Sequence, residues 1–378
     1  MLNVFDVSET LVNHIKSNYP NEIAIIAYYG SYAQGTASKR SDLDFFFIPA
    51  TPEGYEVSIQ FILNDISFDF WPIGWERAEK MASFEDPFTT IIADCQLLYN
   101  RSDEDLARFM KLRDSITTMR EPSHGQVLLE KAETQLNEAY LHLYKMSREN
   151  AAVNINFYRT EANAVLTKVL QSLALLNQTY FTKGWGKNIA QILQYPLKPT
   201  CLKQLLEVIM STRSSEEIRL ACEELTDETL ALILKKKESY LGTAYYADRL
   251  KGCYEETKGT FDKIITACES NDYHTAFFAS IGIQDEIARL LFFAETGSWP
   301  IKLECNLTYQ DLYFQLGFPD LITFVDPHDL TKLQAAVERL SSLFESHLIS
   351  QGVKINRFQS LVEFKLFLEN VGGSLNEN

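Results

Sequence analysis

The chain has no long apolar run. Nothing in it approaches the roughly 20 consecutive apolar residues that cross a bilayer. The opening residues M-L-N-V-F-D-V-S also lack a basic segment followed by a hydrophobic one. On this reading there is no leader and no membrane span, and the expected location is cytoplasmic. Cysteine is sparse: Cys95, Cys201, Cys222, Cys253, Cys268 and Cys305 are scattered, with no C-x-x-C pair and no histidine cluster beside them. That spacing predicts reduced thiols and no structural zinc site. Positive charge is in deficit. Thirty-five Lys and Arg face 51 Asp and Glu, a net charge of −16 that divides as −8 over residues 1–120 and −8 over the remainder. Binding to long nucleic acids draws much of its affinity from cationic side chains on phosphates. A uniformly acidic chain therefore argues against such a substrate and suits a cationic small molecule.

What is present is an ordinary globular composition, long enough for two or three domains, with one dense motif near the start. Residues Ile23 to Tyr29 read as a buried strand, followed by Gly30-Ser31, Gly35-Thr36 and then Asp42-Leu43-Asp44 entering a second apolar run to Ile48. Alternate residues of a strand share a face, so Asp42 and Asp44 point together while Leu43 and Phe45 point into the core. Two neighbouring carboxylates are costly without a cation. A hard divalent ion held by one or two carboxylates and by substrate phosphates is the usual arrangement for magnesium. A glycine at a strand end admits close backbone approach, and a following helix start offers N–H groups to phosphate oxygens. Ser31 adds a hydroxyl. Together these features describe a site for a nucleoside triphosphate and its metal ions.

Gly30-Ser31, ten intervening residues, Asp42-x-Asp44, and then a third carboxylate in the apolar frame Phe68-Asp69-Phe70-Trp71 resemble the signature of the polymerase-beta-like nucleotidyltransferase superfamily. That superfamily includes aminoglycoside and lincosamide nucleotidyltransferases, enzymes that add nucleotides to RNA ends, and small antitoxin members. The resemblance covers about the first 100 residues. It implies transfer of an NMP, most commonly AMP from ATP, to an acceptor hydroxyl with release of pyrophosphate. Asp42 and Asp44 would hold two Mg ions with Asp69 completing the first, and Gly30, Ser31, Gly35 and Thr36 would hold the phosphates. Antibiotic nucleotidyltransferases take a general base from the helical domain. Glu161, in Y-R-T-E-A-N, is the candidate for that role, with Asp69 as the alternative; Glu161 could equally form a surface ion pair with Arg159 or Lys168.

Glu161 is also the only carboxylate between Ala151 and Leu206, against Arg159, Lys168, Lys183, Lys187, Lys198 and Lys203. This local reversal of sign would face the triphosphate or the departing pyrophosphate, with Lys187 as a nucleotide-binding candidate, or else a partner surface. Tyr158, Trp185 and the segment 177–187 are candidates for lining an acceptor pocket. The six histidines show no companion that suggests a role.

The expected fold class is α+β: a nucleotidyltransferase domain over residues 1–120, with a mixed sheet flanked by helices, then an all-α bundle over 121–378 with a subdivision near 297–300. The reading has a leading helix within residues 1–20 with Ser8 as N-cap, strands at 23–29, 42–48, 57–63 and 66–73, and a hairpin turn at Asn64-Asp65. A helix follows at 75–81, and 91–99 is either a strand or a helix running into one. Further helices are expected at 102–113, 128–143, 151–180, 200–211, 215–223, 226–258, 272–295, 329–350 and 358–370. Two functions follow: an enzyme that transfers an NMP to a small molecule, or a module of the same fold that acts on or restrains a protein partner. RNA-end addition ranks third because of the charge.

Overall fold

The computed structural model describes residues 3–39, 41–148, 154–184, 186–300 and 307–373. The chain opens with α1 (Val4–Asn18), β1 (Ile23–Tyr29), the one-turn helix α2 (Gly30–Ala33), β2 (Asp44–Pro49), β3 (Ile59–Leu63) and β4 (Ile66–Pro72). Next come α3 (Trp75–Ala82), α4 (Thr89–Ala93), β5 (Gln96–Asn100) and α5 (Asp103–Met119). All further regular elements are helical: α6 (Gly125–Arg148), α7 (Ile155–Leu176), α8 (Ile189–Ile192), α9 (Leu202–Ser211), α10 (Ser215–Glu238), α11 (Tyr246–Arg249), α12 (Cys253–Glu269), α13 (Tyr273–Thr296), α14 (Thr308–Gln315), α15 (Thr331–Ser350) and α16 (Leu361–Gly373). The α+β class expected from the sequence is the observed one.

The five strands form one mixed sheet in the order β3-β4-β2-β1-β5, with β2 and β4 parallel and every other pairing antiparallel. Alternation decides its faces. Leu43, Phe45 and Phe47 join Phe68 and Phe70 against Val4, Val7, Val12 and Ile15 of α1 in one buried cluster. Each of these phenylalanines is at most 1% exposed. Burying such a side chain contributes roughly 2 kcal/mol, so flipping a strand would forfeit several of these contributions at once. The intervening residues of β2 and β4, Asp44 and Asp69 among them, are held on the other face.

Several boundaries differ from the expected ones. The N-cap of α1 is Asn3, whose side chain accepts from the Phe5 amide, and not Ser8, which is buried inside the helix and donates to the Phe5 carbonyl (2.7 Å). Asparagine caps as well as serine, and the earlier start lets Val4 and Val7 reach the core. Asp42 stands two residues ahead of β2 rather than inside it. The segment 91–99 is the tail of α4 followed by β5, and α7 ends at Leu176 because Gln178 turns into the left-handed region (φ 51). Its expected start at 151–153 lies outside the described residues. The two helices read at 215–223 and 226–258 are divided differently: α10 runs unbroken to Glu238, since Glu224-Leu225 contains no breaker. The real interruption falls at 239–252, where Gly242 and the left-handed Gly252 (φ 78) stop the chain before α12. The short helices α8 and α14 were not legible as helices.

Two compact units divide the chain, residues 1–237 and 238–378. In the first, α6 and α7 form an antiparallel pair, tied where the buried Ser172 hydroxyl donates to the Ala132 carbonyl (2.7 Å). The change from mixed to all-helical structure falls near residue 120, but packing joins α6 to α10 to the sheet-bearing unit. The second unit has its own core, built from α12, α13 and α15 around Phe261, Ile287, Leu291, Tyr313, Leu340 and Phe344. All five described cysteines are free thiols; Cys305 lies outside the described residues. No described helix is long and apolar enough to cross a membrane.

Candidate active site

Sheet register gathers the three aspartates. Asp44 opens β2 opposite Tyr29 of β1, and one residue before the Phe45–Phe70 pair it is level with Asp69 on the parallel neighbour β4. Asp42 precedes it by two residues. Burial, then the charges of Asp42 and Asp69, push the Asp44 carboxyl up to about 6. Asp42 is also raised, by burial first and by the Asp69 charge. Tyr29 is pushed up to about 12 by its own burial and by Asp44, and its hydroxyl accepts from Trp71 Nε1 (3.2 Å). At this sheet end negative charge accumulates with no cationic partner among the described residues.

The turn beside it is shaped by glycine. Gly30 has φ 74, and a Cβ there would stand 2.1 Å from Asp44 Oδ2. Only glycine lets backbone and carboxylate approach this closely. Gly35 takes φ 67, and the Thr36 amide donates back to the Ser31 carbonyl (2.8 Å), closing the loop around α2. The Ser31 hydroxyl has no hydrogen bond among the described residues and is free for a ligand.

Hard oxygen donors of this kind fit a divalent cation. Among the described residues, however, no three His, Cys, Asp or Glu side chains are gathered into a metal-binding set. A cation held by these aspartates would take the rest of its shell from other oxygens, as magnesium sites completed by substrate phosphates do.

The remaining candidates are less close to this cluster. Glu161 is 8% exposed on α7; Nδ1–H of His142 donates to its Oε2 (2.6 Å), and Lys145 Nζ lies 3.2 Å from Oε1. Burial raises this carboxyl, but the hydrogen bonds from His142 and Lys145 and the lysine charge outweigh it and hold it below its usual value. Its ion-pair partners are thus neither Arg159 nor Lys168, and His142 has a companion after all. Arg159 donates to the Met210 and Thr212 carbonyls, and Lys168 pairs with Glu138. Fifteen residues of α7, about 22 Å at 1.5 Å each, separate Glu161 from Leu176. The chain beyond Leu176 reaches the sheet end: Tyr180 donates to Asp94 (3.1 Å), and the Thr182 carbonyl accepts from Gln34, at the end of α2.

Of the basic stretch, Lys198 bonds the Tyr195 carbonyl and Lys203 lies 3.9 Å from Glu207. Lys183 and the exposed Lys187, on the segment that carries Thr182, have no acidic partner among the described residues. Tyr158 is fully buried and donates to the Met146 carbonyl, so it is core and lines no pocket. Trp185 lies outside the described residues. A polar cavity of about 500 Å³ does open beside α2, lined by Ala33, Gln34, Asp94, Gln96, Arg113 and Thr182.

Two further residues of the site escaped the sequence reading. Trp71 tethers Tyr29, and Gln60 of β3 donates to Asp69 Oδ1 (2.8 Å). The second had a signal: a two-residue turn at Asn64-Asp65 pairs Leu63 with Ile66 and, counting outward, Gln60 with Asp69.

Comparison with protein families agrees with this geometry. The family model for the nucleotidyltransferase domain matches residues 8–79, and that for the KNTase C-terminal domain matches residues 106–239. The chain belongs to the polymerase-beta-like nucleotidyltransferase superfamily. It is a nucleotidyltransferase in which the Gly-Ser turn and all three aspartates fall inside the first matched segment. No curated protein matches the chain. Among solved structures it is similar to a nucleotidyltransferase-like protein from Exiguobacterium sibiricum, at 13% identity and a TM-score of 0.36, over 61% of this chain and 76% of that one.

Proposed function

We propose that this nucleotidyltransferase moves an NMP, AMP from ATP, to a hydroxyl of a small molecule, as the antibiotic nucleotidyltransferases do. The observation that carries the reading is the carboxylate cluster of Asp42, Asp44 and Asp69 beside the Gly30 turn, with no cationic partner among the described residues. Asp42 and Asp44 would hold the magnesium, with Asp69 contributing to the same shell. When bound, the metal supplies charge neutralisation for the triphosphate and lowers the cost of developing negative charge. Gly30 and Ser31 bind phosphate oxygens through close backbone approach and a free hydroxyl, and Gly35 and Thr36 hold the loop that shapes that turn. Asp69 takes the acceptor proton. It stands level with Asp44, whereas the Glu161 carboxylate is already engaged by His142 and Lys145 and is held below its usual value. Lys183 and Lys187 offer free cationic groups to the departing pyrophosphate, and the polar cavity beside α2 receives the acceptor.

The test is pyrophosphate release from ATP, GTP, CTP and UTP with magnesium, against aminoglycosides, lincosamides and RNA. Acceptor-dependent release that disappears in Asp42→Asn and Asp44→Asn supports the reading and names both substrates. Nucleotide binding without release on any small acceptor would shift the assignment to a protein acceptor.

A further inference from the structure

Gln60 stands on the edge strand β3, exposed, and at first sight makes a surface hydrogen bond. Its surroundings argue for more. Gln60 Nε2 donates to Asp69 Oδ1 (2.8 Å) and reaches Ser58 Oγ (3.3 Å), and Ser58 Oγ in turn donates to the carbonyl of Phe70, the residue after Asp69 (3.3 Å). The amide is thus gripped from one side by a hydroxyl anchored to the β4 backbone, while its other N–H holds one oxygen of the carboxylate. The terminal torsion of an aspartate is broad and soft, so an otherwise unheld Asp69 would swing between orientations. The hydrogen bond to Oδ1 fixes it and leaves Oδ2 without a hydrogen bond among the described residues. The chemistry of the partner matters too. A neutral amide orients a carboxylate without cancelling its charge, whereas a lysine at this position would compete with any cation the carboxylate is meant to bind.

We infer that Gln60, supported by Ser58, is a positioning residue that presents Asp69 to the metal and to the acceptor proton. The inference rests on the function proposed above. Hydrogen-bonding partners one shell beyond a metal's ligands typically control affinity by 10- to 100-fold, and an exposed pair belongs at the lower end of that range.

The experiment uses the full chain and Mn²⁺ alone, following free Mn²⁺ by electron paramagnetic resonance, with kcat and KM measured alongside. Gln60→Met keeps the length of the side chain and removes its amide, donors and acceptor together; Ser58→Ala removes only the anchor. Ile62→Thr, two residues further along the same strand and 74% exposed, controls for a general disturbance of β3. The expected result is a Mn²⁺ affinity about tenfold weaker in Gln60→Met, about two- to threefold weaker in Ser58→Ala and unchanged in Ile62→Thr. Melting temperatures stay within about 1 °C of the parent, and kcat falls while KM for the acceptor holds. Unchanged Mn²⁺ affinity in Gln60→Met, or an equal loss in Ile62→Thr, overturns the inference and returns Gln60 to the surface. Failure of the parent chain to bind Mn²⁺ at all would instead remove the metal reading, and this inference with it.

Discussion

Two carboxylates of the first compact unit, Asp44 at the head of β2 and Glu161 on α7, are both largely withdrawn from water and have opposite electrostatics. Burial and two like charges drive Asp44 up to about 6. Glu161 meets burial too, but His142 and Lys145 overcompensate and hold it below its usual value. A chain that only needed to be stable would treat both as it treats Glu161. Leaving Asp42 and Asp44 beside Asp69 with no cation among the described residues costs stability, and such a cost is expected where a ligand is to supply the missing charge. Asp44 is nominated by the Gly-Ser and Asp-x-Asp signature and Glu161 only as one candidate for the base; their surroundings separate them further.

The largest expected effect breaks the comparison on activity. Asp44→Asn should lower kcat on the order of 10³-fold or more in the pyrophosphate assay. Glu161→Gln should cost at most a few-fold in turnover, while losing about 1–3 kcal/mol in chemical denaturation because a charged hydrogen-bond acceptor is removed from two donors. A large loss of turnover with normal stability in Glu161→Gln would reverse the assignment of the base.

Gly30→Ala comes next. Its φ of 74 costs an L-residue roughly 1–2 kcal/mol, and the new Cβ collides with Asp44 Oδ2. Displacing that carboxylate by an ångström should reduce kcat on the order of 10²-fold, with a smaller fall in melting temperature.

The third prediction sharpens the comparison through pH. The folded pKa of Asp44 is raised from 3.8, so the native state holds that proton more tightly than the unfolded chain. Its contribution to stability is complete below about pH 4 and is lost as pH rises through about 6. Asp44→Asn lacks the decline and should gain on the parent by about 1–2 kcal/mol between pH 4 and 7. Glu161 is lowered from 4.5, so its stabilisation is present above that value and disappears as pH falls through its folded value. Glu161→Gln should therefore trail the parent at neutral pH and converge with it in acid. Melting curves of the three proteins across pH 3–8 would show the two difference plots running in opposite senses; parallel plots would mean the two carboxylates are alike.

The smallest effect belongs to Lys187. Exposed and without an acidic partner, it should change KM for the nucleotide by about two- to threefold in Lys187→Ala, with kcat nearly constant.

What the sequence determined by itself was everything that depends on neighbours along the chain. The alternation of β2 and β4 assigns Asp44 and Asp69 to the face opposite the phenylalanines, the Asn64-Asp65 pair sets the hairpin, and the glycine at 30 marks the close approach. These follow from strand periodicity and backbone sterics, which act over a few residues. Tertiary structure decided which side chains become partners. Glu161 meets His142 and Lys145 from a helix 16 to 19 residues away, Thr182 meets Gln34 across 148 residues, and α10 runs past the point where the sequence suggested two helices. Such pairings depend on how helices pack, a property of distant surfaces fitting together, and composition or spacing along one segment carries no record of it.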